Sequence, residues 1–317
     1  YTDILKILNF KKDLNKDRYF FEDYLTDFQI SEINKIINNV LEENFSIYGY
    51  FKHFEMEIED CILYSKDFLC TNSPLLYNEL NIVLNNKRLY VDKNDKNLAF
   101  CGSCFSISNK NYYQIINDKS SSLFTSLNHE NVHGLANKLS ERRFDNDSSA
   151  ILYREVGSIL IELYANEYLF KNHLISEEEY IYTYNLVYSS NLYSDIELTD
   201  FLYRLSKIDI NKSAKNIKKL IDIEAKEKPN YDFIVYELNE FPLKHYLTYL
   251  YSGSISIALF NMFKDSPKHG IDAALDIMLN VNEKNEKELF RKYNINICNA
   301  LDIYKKENNR LIKKKRD

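Results

Sequence analysis

The sequence has 317 residues, which is enough for one large domain or two ordinary ones with a sizeable buried core. Hydrophobic residues make up 45 % and charged residues 28 %, as in ordinary globular proteins, and the scarcity of Gly (6 residues) and Pro (4 residues) favours a helix-dominated fold. The net charge of -6 argues against a nucleic-acid-binding surface, and no apolar run approaches the length of a transmembrane helix.

The first predicted elements are helices, which form an N-terminal helical segment over residues 1–85. In the stretch 30–41 apolar residues recur at helical spacing, and Ser31 is predicted to cap that helix. The remaining residues, 86–317, are expected to form the functional region and to be continuous with this segment.

Residues 88–117 differ in character and predict a small antiparallel meander. Strand-like runs at 88–92, 98–101, 105–108 and 112–116 are separated by turn-like Asn- and Lys-rich stretches. The last two runs are predicted to form a hairpin over 105–116.

Cys101 and Cys104 form a CxxC inside this region. No second CxxC accompanies it, and five cysteines in a chain of this length do not make a disulfide framework. We interpret them as reduced, partly buried thiols, which favours a cytoplasmic location. Because the sequence begins at Tyr1 and not at Met, a preceding signal or pro-segment, and hence secretion, is the alternative.

The sharpest motif is HExxH, formed by His129, Glu130 and His133 within a predicted helix over 123–139. Leu123, Leu127, Leu135 and Leu139 supply the apolar stripe of that helix. His129 and His133 lie one turn apart on one face, so that both imidazoles can bind one metal ion. Glu130 can take a proton from a water molecule at the metal. The motif predicts a catalytic zinc site, with one Zn²⁺ per chain and Glu130 as the general base.

A catalytic zinc needs a third protein ligand, and the next predicted helix, 151–170, offers candidates. At about 100° per residue, Glu155, Glu162 and Asn166 fall on one narrow face bordered by apolar residues. Buried carboxylates need a partner such as a metal or a ligating His. Helical spacing alone does not choose between Glu155 and Glu162.

A later helix-like segment follows Pro242 and is rich in groups that donate hydrogen bonds. An oxyanion that forms during hydrolysis needs a donor besides the metal. The candidates are His245, Tyr246, Tyr249 and Tyr251. Because the chain has 26 Tyr, packed aromatic side chains are the alternative interpretation.

The segment that contains HExxH resembles the zinc peptidases of the oligoendopeptidase F and thimet oligopeptidase group. That family has a later Glu in the pattern E-x-x-S-x-x-x-E, which reads here as Glu155, Ser158 and Glu162. The resemblance implies that Glu155 binds zinc and that Glu162 orients a ligating His. A rival resemblance, to the E-x-x-A-(N/D) helix of other zincins, implies that Glu162 binds zinc and that Asn166 braces the His.

The resemblance to the oligoendopeptidase group extends over residues 86–265. The stretches 90–92 and 99–101 resemble the family's strands before the motif, and 249–259 resembles its helix of transition-state donors. Val132 stands where the family has Gly, the spacing from His133 to Glu155 is slightly short, and the chain is about half the usual family length. Because of these departures, the resemblance does not determine the depth of the substrate channel.

Together these features predict a mainly α, zincin-like catalytic domain with a small antiparallel sheet before the HExxH helix. The predicted function is a zinc endopeptidase that cleaves oligopeptides. Two alternatives are a processing or toxin-type metalloprotease with one protein substrate, and an inactive peptide-binding module. The intact Glu130 argues against the inactive module.

Overall fold

A computed structural model of the protein describes residues 25–41, 56–92, 102–108, 111–117, 123–140, 149–188, 243–282 and 284–314. These residues form a mostly helical fold with one small three-stranded sheet, as predicted. The helices of this part of the chain are α1 (Asp27–Leu41), α2 (Ile58–Asn72), α3 (Pro74–Asn85), α4 (Leu123–Ser140), α5 (Val156–Lys171), α6 (Glu177–Tyr188), α7 (Leu243–Met262), α8 (Pro267–Asn280), α9 (Glu286–Lys292) and α10 (Ile297–Lys314). The strands are β1 (Leu89–Asp92), β2 (Gly102–Ser108) and β3 (Asn111–Asn117).

The first described helix, α1, begins earlier than predicted. Thr26 Oγ1 accepts a hydrogen bond from the backbone N–H of Gln29 (3.1 Å), and Gln29 Oε1 accepts one from the backbone N–H of Thr26 (3.2 Å). This reciprocal pair satisfies two N–H groups that a helix start leaves without partners. The prediction of Ser31 as the N-cap is therefore wrong, because Ser31 lies inside a helix that Thr26 has already capped.

Helices α2 and α3 are separated at Ser73, whose side chain accepts a hydrogen bond from the N–H of Leu76 (3.4 Å), and Pro74 then occupies the first helical position. Both helices pack against α4, and their buried apolar residues belong to one core that extends from α1 to α10. The boundary between residues 85 and 86 stays a prediction.

The sheet has the strand order β1-β3-β2. Strands β2 and β3 are antiparallel, which confirms the predicted hairpin, whereas β1 pairs with β3 in parallel. The predicted antiparallel meander is thus wrong for β1. Alternation of apolar residues decides which face of a strand is buried, but not which neighbour the strand pairs with. The predicted strand at 98–101 and most of the turn residues lie outside the described part of the chain.

The predicted helix over 151–170 is interrupted just before the third candidate ligand. A 3₁₀ helix spans Ser149–Tyr153, and α5 begins at Val156, so that Glu155 is the residue that precedes the first helical turn. Ser252 of α7 holds this junction: its Oγ donates to the carbonyl oxygen of Leu152 (2.6 Å) and accepts from the N–H of Glu155 (3.2 Å). The prediction of one continuous helix over 151–170 is therefore wrong, because regular α-helix begins only at Val156.

Helix α8 approaches α5 closely at Gly157. The backbone N–H of Gly157 donates to Met278 Sδ (3.0 Å), and a Cβ at this position would lie 2.5 Å from that sulfur. Only a glycine allows this contact between the two helices. No helix among the described residues is long and apolar enough to cross a membrane.

Candidate metal centre

Helix α4 carries the HExxH motif and presents it beside the sheet. Leu123, Leu127 and Leu135 are buried and hold the helix against the core, as predicted. Leu139 is 52 % exposed, so the predicted stripe ends one turn early, because the last turn of the helix extends beyond the packed layer. On the opposite flank the Nε2 atoms of His129 and His133 lie 3.1 Å apart.

The third candidate metal ligand of the site is the carboxylate of Glu155. Its Oε2 atom lies 2.9 Å from Nε2 of His133 and 3.4 Å from Nε2 of His129. Among the described residues this is the cluster of His, Cys, Asp and Glu side chains that could hold a metal ion. The structure thus brings together the three residues predicted from the sequence as metal ligands.

The donor set fits a tetrahedral metal ion. The three donor atoms form a triangle with sides of 2.9, 3.1 and 3.4 Å. Bonds of about 2.0–2.1 Å in a tetrahedral zinc site separate the donors by about 3.3 Å. Two imidazole nitrogens and a carboxylate oxygen at these distances repel one another unless a proton or a cation lies between them. Two imidazoles and one carboxylate also match the ligand types of catalytic zinc sites.

Glu162 contacts the other ring nitrogen of His129. Its Oε1 atom lies 2.5 Å from Nδ1. A proton on Nδ1 that is held by this carboxylate leaves Nε2 with a lone pair, which is the form of the ring that binds a metal. The structure does not bring Asn166 to this cluster: its side-chain amide donates to the carbonyl oxygen of Tyr180 (3.1 Å).

The Glu155 carboxylate is itself held by neighbours. Ser158 Oγ donates to Glu155 Oε2 (2.7 Å), which gives the Ser of the predicted E-x-x-S pattern a physical role. Arg154 Nε lies 3.8 Å from Glu155 Oε1. Sequence reasoning assigned no role to Arg154, although it directly precedes the candidate ligand, because its orientation depends on the break between the 3₁₀ helix and α5.

The buried ionisable groups of the site shift one another's pKa values. Burial disfavours the charged form of His129, but the carboxylates of Glu162 and Glu155 outweigh this effect and raise the pKa of His129 well above its usual value. Burial likewise opposes ionisation of Glu155, but His133 and His129 hold its pKa well below the usual range.

Glu130 is buried beside this cluster and touches the sheet. Burial raises its pKa, and the two motif histidines counteract the rise. A Cβ at Gly102, the first residue of β2, would lie 2.9 Å from both Cγ and Oε1 of Glu130. Gly102 was missed by sequence reasoning, and its rarity as one of 6 glycines was the only available signal.

The predicted oxyanion donors separate into two groups on α7. The charge of Glu155 raises the pKa of the Tyr249 hydroxyl, as do burial and the charges of Glu162 and Glu130, which indicates that Tyr249 lies near the site. Tyr251 is fully buried elsewhere, with its ring edge-on to Tyr153 and the two hydroxyl oxygens 3.4 Å apart. Tyr246 is also buried, and the side chain of His245 lies outside the described part of the structure.

Cys104 is a free thiol on β2. Burial raises its pKa to about 12, and the charge of Glu130 adds to this rise, so the thiol stays protonated at neutral pH. The interpretation of a reduced, partly buried cysteine is confirmed for Cys104, whereas Cys101 lies outside the described residues.

Comparison with known proteins adds a structural relative. No family model matches the sequence, and no curated protein matches it. The fold is similar to the crystal structure of "a putative oligoendopeptidase F" from Bacillus anthracis str. Ames, with a TM-score of 0.55 and 15 % sequence identity. The match covers 96 % of this chain and 56 % of that one, so the chain spans little more than half the length of its relative. At this identity the likeness shows a shared fold, and it confirms the predicted resemblance at that level.

Proposed function

We propose that the protein is a zinc-dependent endopeptidase that hydrolyses peptide bonds in oligopeptides. The observation that carries this proposal is the convergence of His129 Nε2, His133 Nε2 and Glu155 Oε2 within 3.4 Å of one another, next to the buried carboxylate of Glu130. The fold shared with an oligoendopeptidase structure supports peptides as the substrate class.

In this proposal His129, His133 and Glu155 hold one zinc ion per chain. When bound, zinc supplies Lewis acidity and a nucleophilic water at neutral pH. Glu130 accepts a proton from the attacking water on its carboxylate and returns it to the leaving amine. Burial supports this role, because it raises the pKa of Glu130 towards the range in which a carboxyl group both accepts and releases a proton.

Two further side chains support the reaction. Glu162 keeps the proton of His129 on Nδ1 and so orients the ring. Tyr249 is the candidate oxyanion donor that its charge environment favours, because the nearby carboxylates keep its hydroxyl protonated and therefore able to donate. His245 stays a sequence prediction for the same role.

We propose that an extended peptide pairs with β2. This strand is at the edge of the described sheet, and Gly102 at its start leaves no room for a Cβ beside Glu130, so the strand borders the candidate site. Main-chain hydrogen bonds to a strand edge bind peptides with little dependence on their side chains. This mode of binding suits an enzyme that acts on varied oligopeptides.

Cleavage of a library of fluorescence-quenched peptides tests the function. Zinc-loaded protein should cleave many short peptides, and a chelator should abolish the cleavage. Glu130→Gln should keep zinc and the fold but lose several orders of magnitude in kcat, because the water loses its proton acceptor. Near-normal turnover by Glu130→Gln would contradict the proposal.

The same library separates the two alternative functions. A processing or toxin-type protease would cut one sequence or one protein substrate and leave most of the library intact. An inactive binding module would cut none of the peptides, with or without zinc.

A further inference from the structure

Arg154 places a positive charge at the edge of the candidate metal centre. Its guanidinium Nε lies 3.8 Å from Glu155 Oε1, on the carboxylate whose other oxygen faces the two histidines. The Arg154 side chain is 47 % exposed, whereas that of Glu155 is only 6 % exposed. The guanidinium therefore extends from the buried ligand towards solvent.

The backbone that carries Arg154 is fixed with respect to the site. The Arg154 N–H donates to the carbonyl oxygen of Ile151 (3.1 Å), and the Glu155 N–H donates to Ser252 Oγ (3.2 Å). The first bond lies within the 3₁₀ turn, and the second ties the junction between the 3₁₀ helix and α5 to α7. The origin of the long side chain is thus held at a constant position relative to the metal ligands.

The charge of Arg154 acts on side chains of two other elements, α7 and β2. It counteracts the rise in pKa of Tyr249 on α7 and of the Cys104 thiol on β2. Among the ion pairs between described residues, Arg154 is the only Lys or Arg that meets a carboxylate of the HExxH site. The carboxylates of Glu130, Glu155 and Glu162 would repel a substrate carboxylate.

The guanidinium has hydrogen-bonding capacity beyond its contact with Glu155. An Arg side chain carries five N–H donors in a planar fork, and the Nε–H is the one nearest Glu155. The four N–H donors of the two Nη atoms match the two oxygens of a carboxylate. A half-exposed guanidinium in this position can bind an anion without a large desolvation cost.

We propose that Arg154 binds a carboxylate of the peptide substrate, either an acidic side chain or the C-terminal carboxylate, and so makes the enzyme prefer peptides that carry a carboxylate near the cleaved bond. This inference rests on the proposed peptidase function. The competing role is purely structural, in which Arg154 only steadies Glu155. If the role were structural, Arg154→Gln would lower kcat/KM equally for all peptides and would also reduce the zinc content.

The test uses matched quenched heptapeptides that carry Glu or Gln at one position, each made with a free or an amidated C-terminus. Zinc-loaded wild type is compared with Arg154→Gln and Arg154→Lys. Arg291→Gln is the control, because it removes the same charge from an exposed position on α9. For each protein kcat, KM and zinc content are measured. Binding of the same peptides to the Glu130→Gln variant, with and without Arg154→Gln, is measured by fluorescence anisotropy.

For wild type and Arg291→Gln, kcat/KM should be about tenfold higher for a carboxylate-bearing peptide than for its neutral partner, mainly through KM. Arg154→Gln should reduce this ratio to about one without loss of zinc, and Arg154→Lys should restore part of it. Preference for Glu in amidated peptides identifies an acidic side chain as the bound group. Preference for a free C-terminus identifies the terminal carboxylate.

An unchanged ratio in Arg154→Gln, no preference in wild type, or an equal loss on all peptides together with zinc would overturn the inference. Cleavage of neutral peptides without any preference would leave the proposed function intact. If no peptide is cleaved, the proposed function fails. The Kd values from anisotropy then show whether Arg154 binds the peptide carboxylate. An Arg154-dependent difference in Kd between Glu and Gln peptides supports the inference, and equal Kd values overturn it.

Discussion

Glu162 and His129 form a contact of 2.5 Å between Oε1 and Nδ1, while the other ring nitrogen of His129 faces Glu155. Each nitrogen of this imidazole thus meets a different glutamate. Because only the Nε2 atom converges with Nε2 of His133, we propose different roles for the two glutamates: Glu155 is a metal ligand, and Glu162 holds the ring.

This difference predicts unequal losses of zinc. Glu155→Gln should weaken zinc binding strongly, because it removes a charged metal bond. Glu162→Gln removes a partner of a ligand, which costs only about 10- to 100-fold in affinity or activity. Competition with a chromogenic chelator on the purified variants gives both affinities. A larger loss in Glu162→Gln would show that the rival assignment is right and that Glu162 is the ligand.

Gly102→Ala should disturb the base without disturbing the metal. The added Cβ would lie 2.9 Å from Cγ and Oε1 of Glu130, so the carboxylate must move. A displacement of about 1 Å in a reacting group can cost about 100-fold in rate, so we expect kcat to fall by about 10- to 100-fold at unchanged zinc content. Ser103→Ala on the same strand is the control. A Gly102→Ala enzyme with wild-type kcat would show that β2 does not position Glu130.

Tyr249 and Tyr251 of α7 should respond differently to the loss of their hydroxyls. Tyr249→Phe should lower kcat by about 100-fold or more at unchanged stability, because an oxyanion donor is lost. Tyr251→Phe should instead lower the free energy of unfolding by about 1 kcal/mol, because the buried hydroxyl of Tyr153 loses its neighbour. Steady-state kinetics and urea unfolding of both variants measure these effects. Equal kcat values for Tyr249→Phe and wild type would exclude Tyr249 as the donor.

Asp276 on α8 predicts a pH-dependent contribution to stability. It accepts hydrogen bonds from Asn280 Nδ2 (2.6 Å), Lys292 Nζ (2.7 Å) and the Tyr293 hydroxyl (2.5 Å). Burial opposes its ionisation, but these partners hold the pKa of Asp276 below its usual value of 3.8. The stabilisation is therefore present above pH 3.8 and is lost as the pH falls through the lower folded-state value.

Asp276→Asn should accordingly lower the free energy of unfolding by about 1 kcal/mol at pH 7, a value that allows for partial exposure of the carboxylate. The difference from wild type should shrink below about pH 4. Urea unfolding of both proteins in the presence of a chelator, at pH 7 and pH 3, measures it. A difference that is the same at both pH values would show that the charge of Asp276 does not stabilise the fold.

The parts of the site that could be predicted from the sequence are those that depend on local spacing. His129 and His133 meet because residues four apart lie on one face of a helix. The contact of Gly102 with Glu130 and the exposed position of Arg154 depend on how β2 and the 3₁₀ helix pack against other elements, and no local pattern encodes such packing. Glu155 was assigned through the family resemblance, because helical spacing alone did not choose between it and Glu162, which also contacts His129.

The zinc content of the purified protein tests the central claim most directly. Elemental analysis of the wild type after removal of loosely bound metal should give about one zinc per chain. His129→Ala combined with His133→Ala should hold none, because two of the three ligands are gone. His269→Ala, which removes an exposed histidine on α8, should keep the full amount. Stoichiometric zinc in the double variant would contradict the assignment of the metal centre.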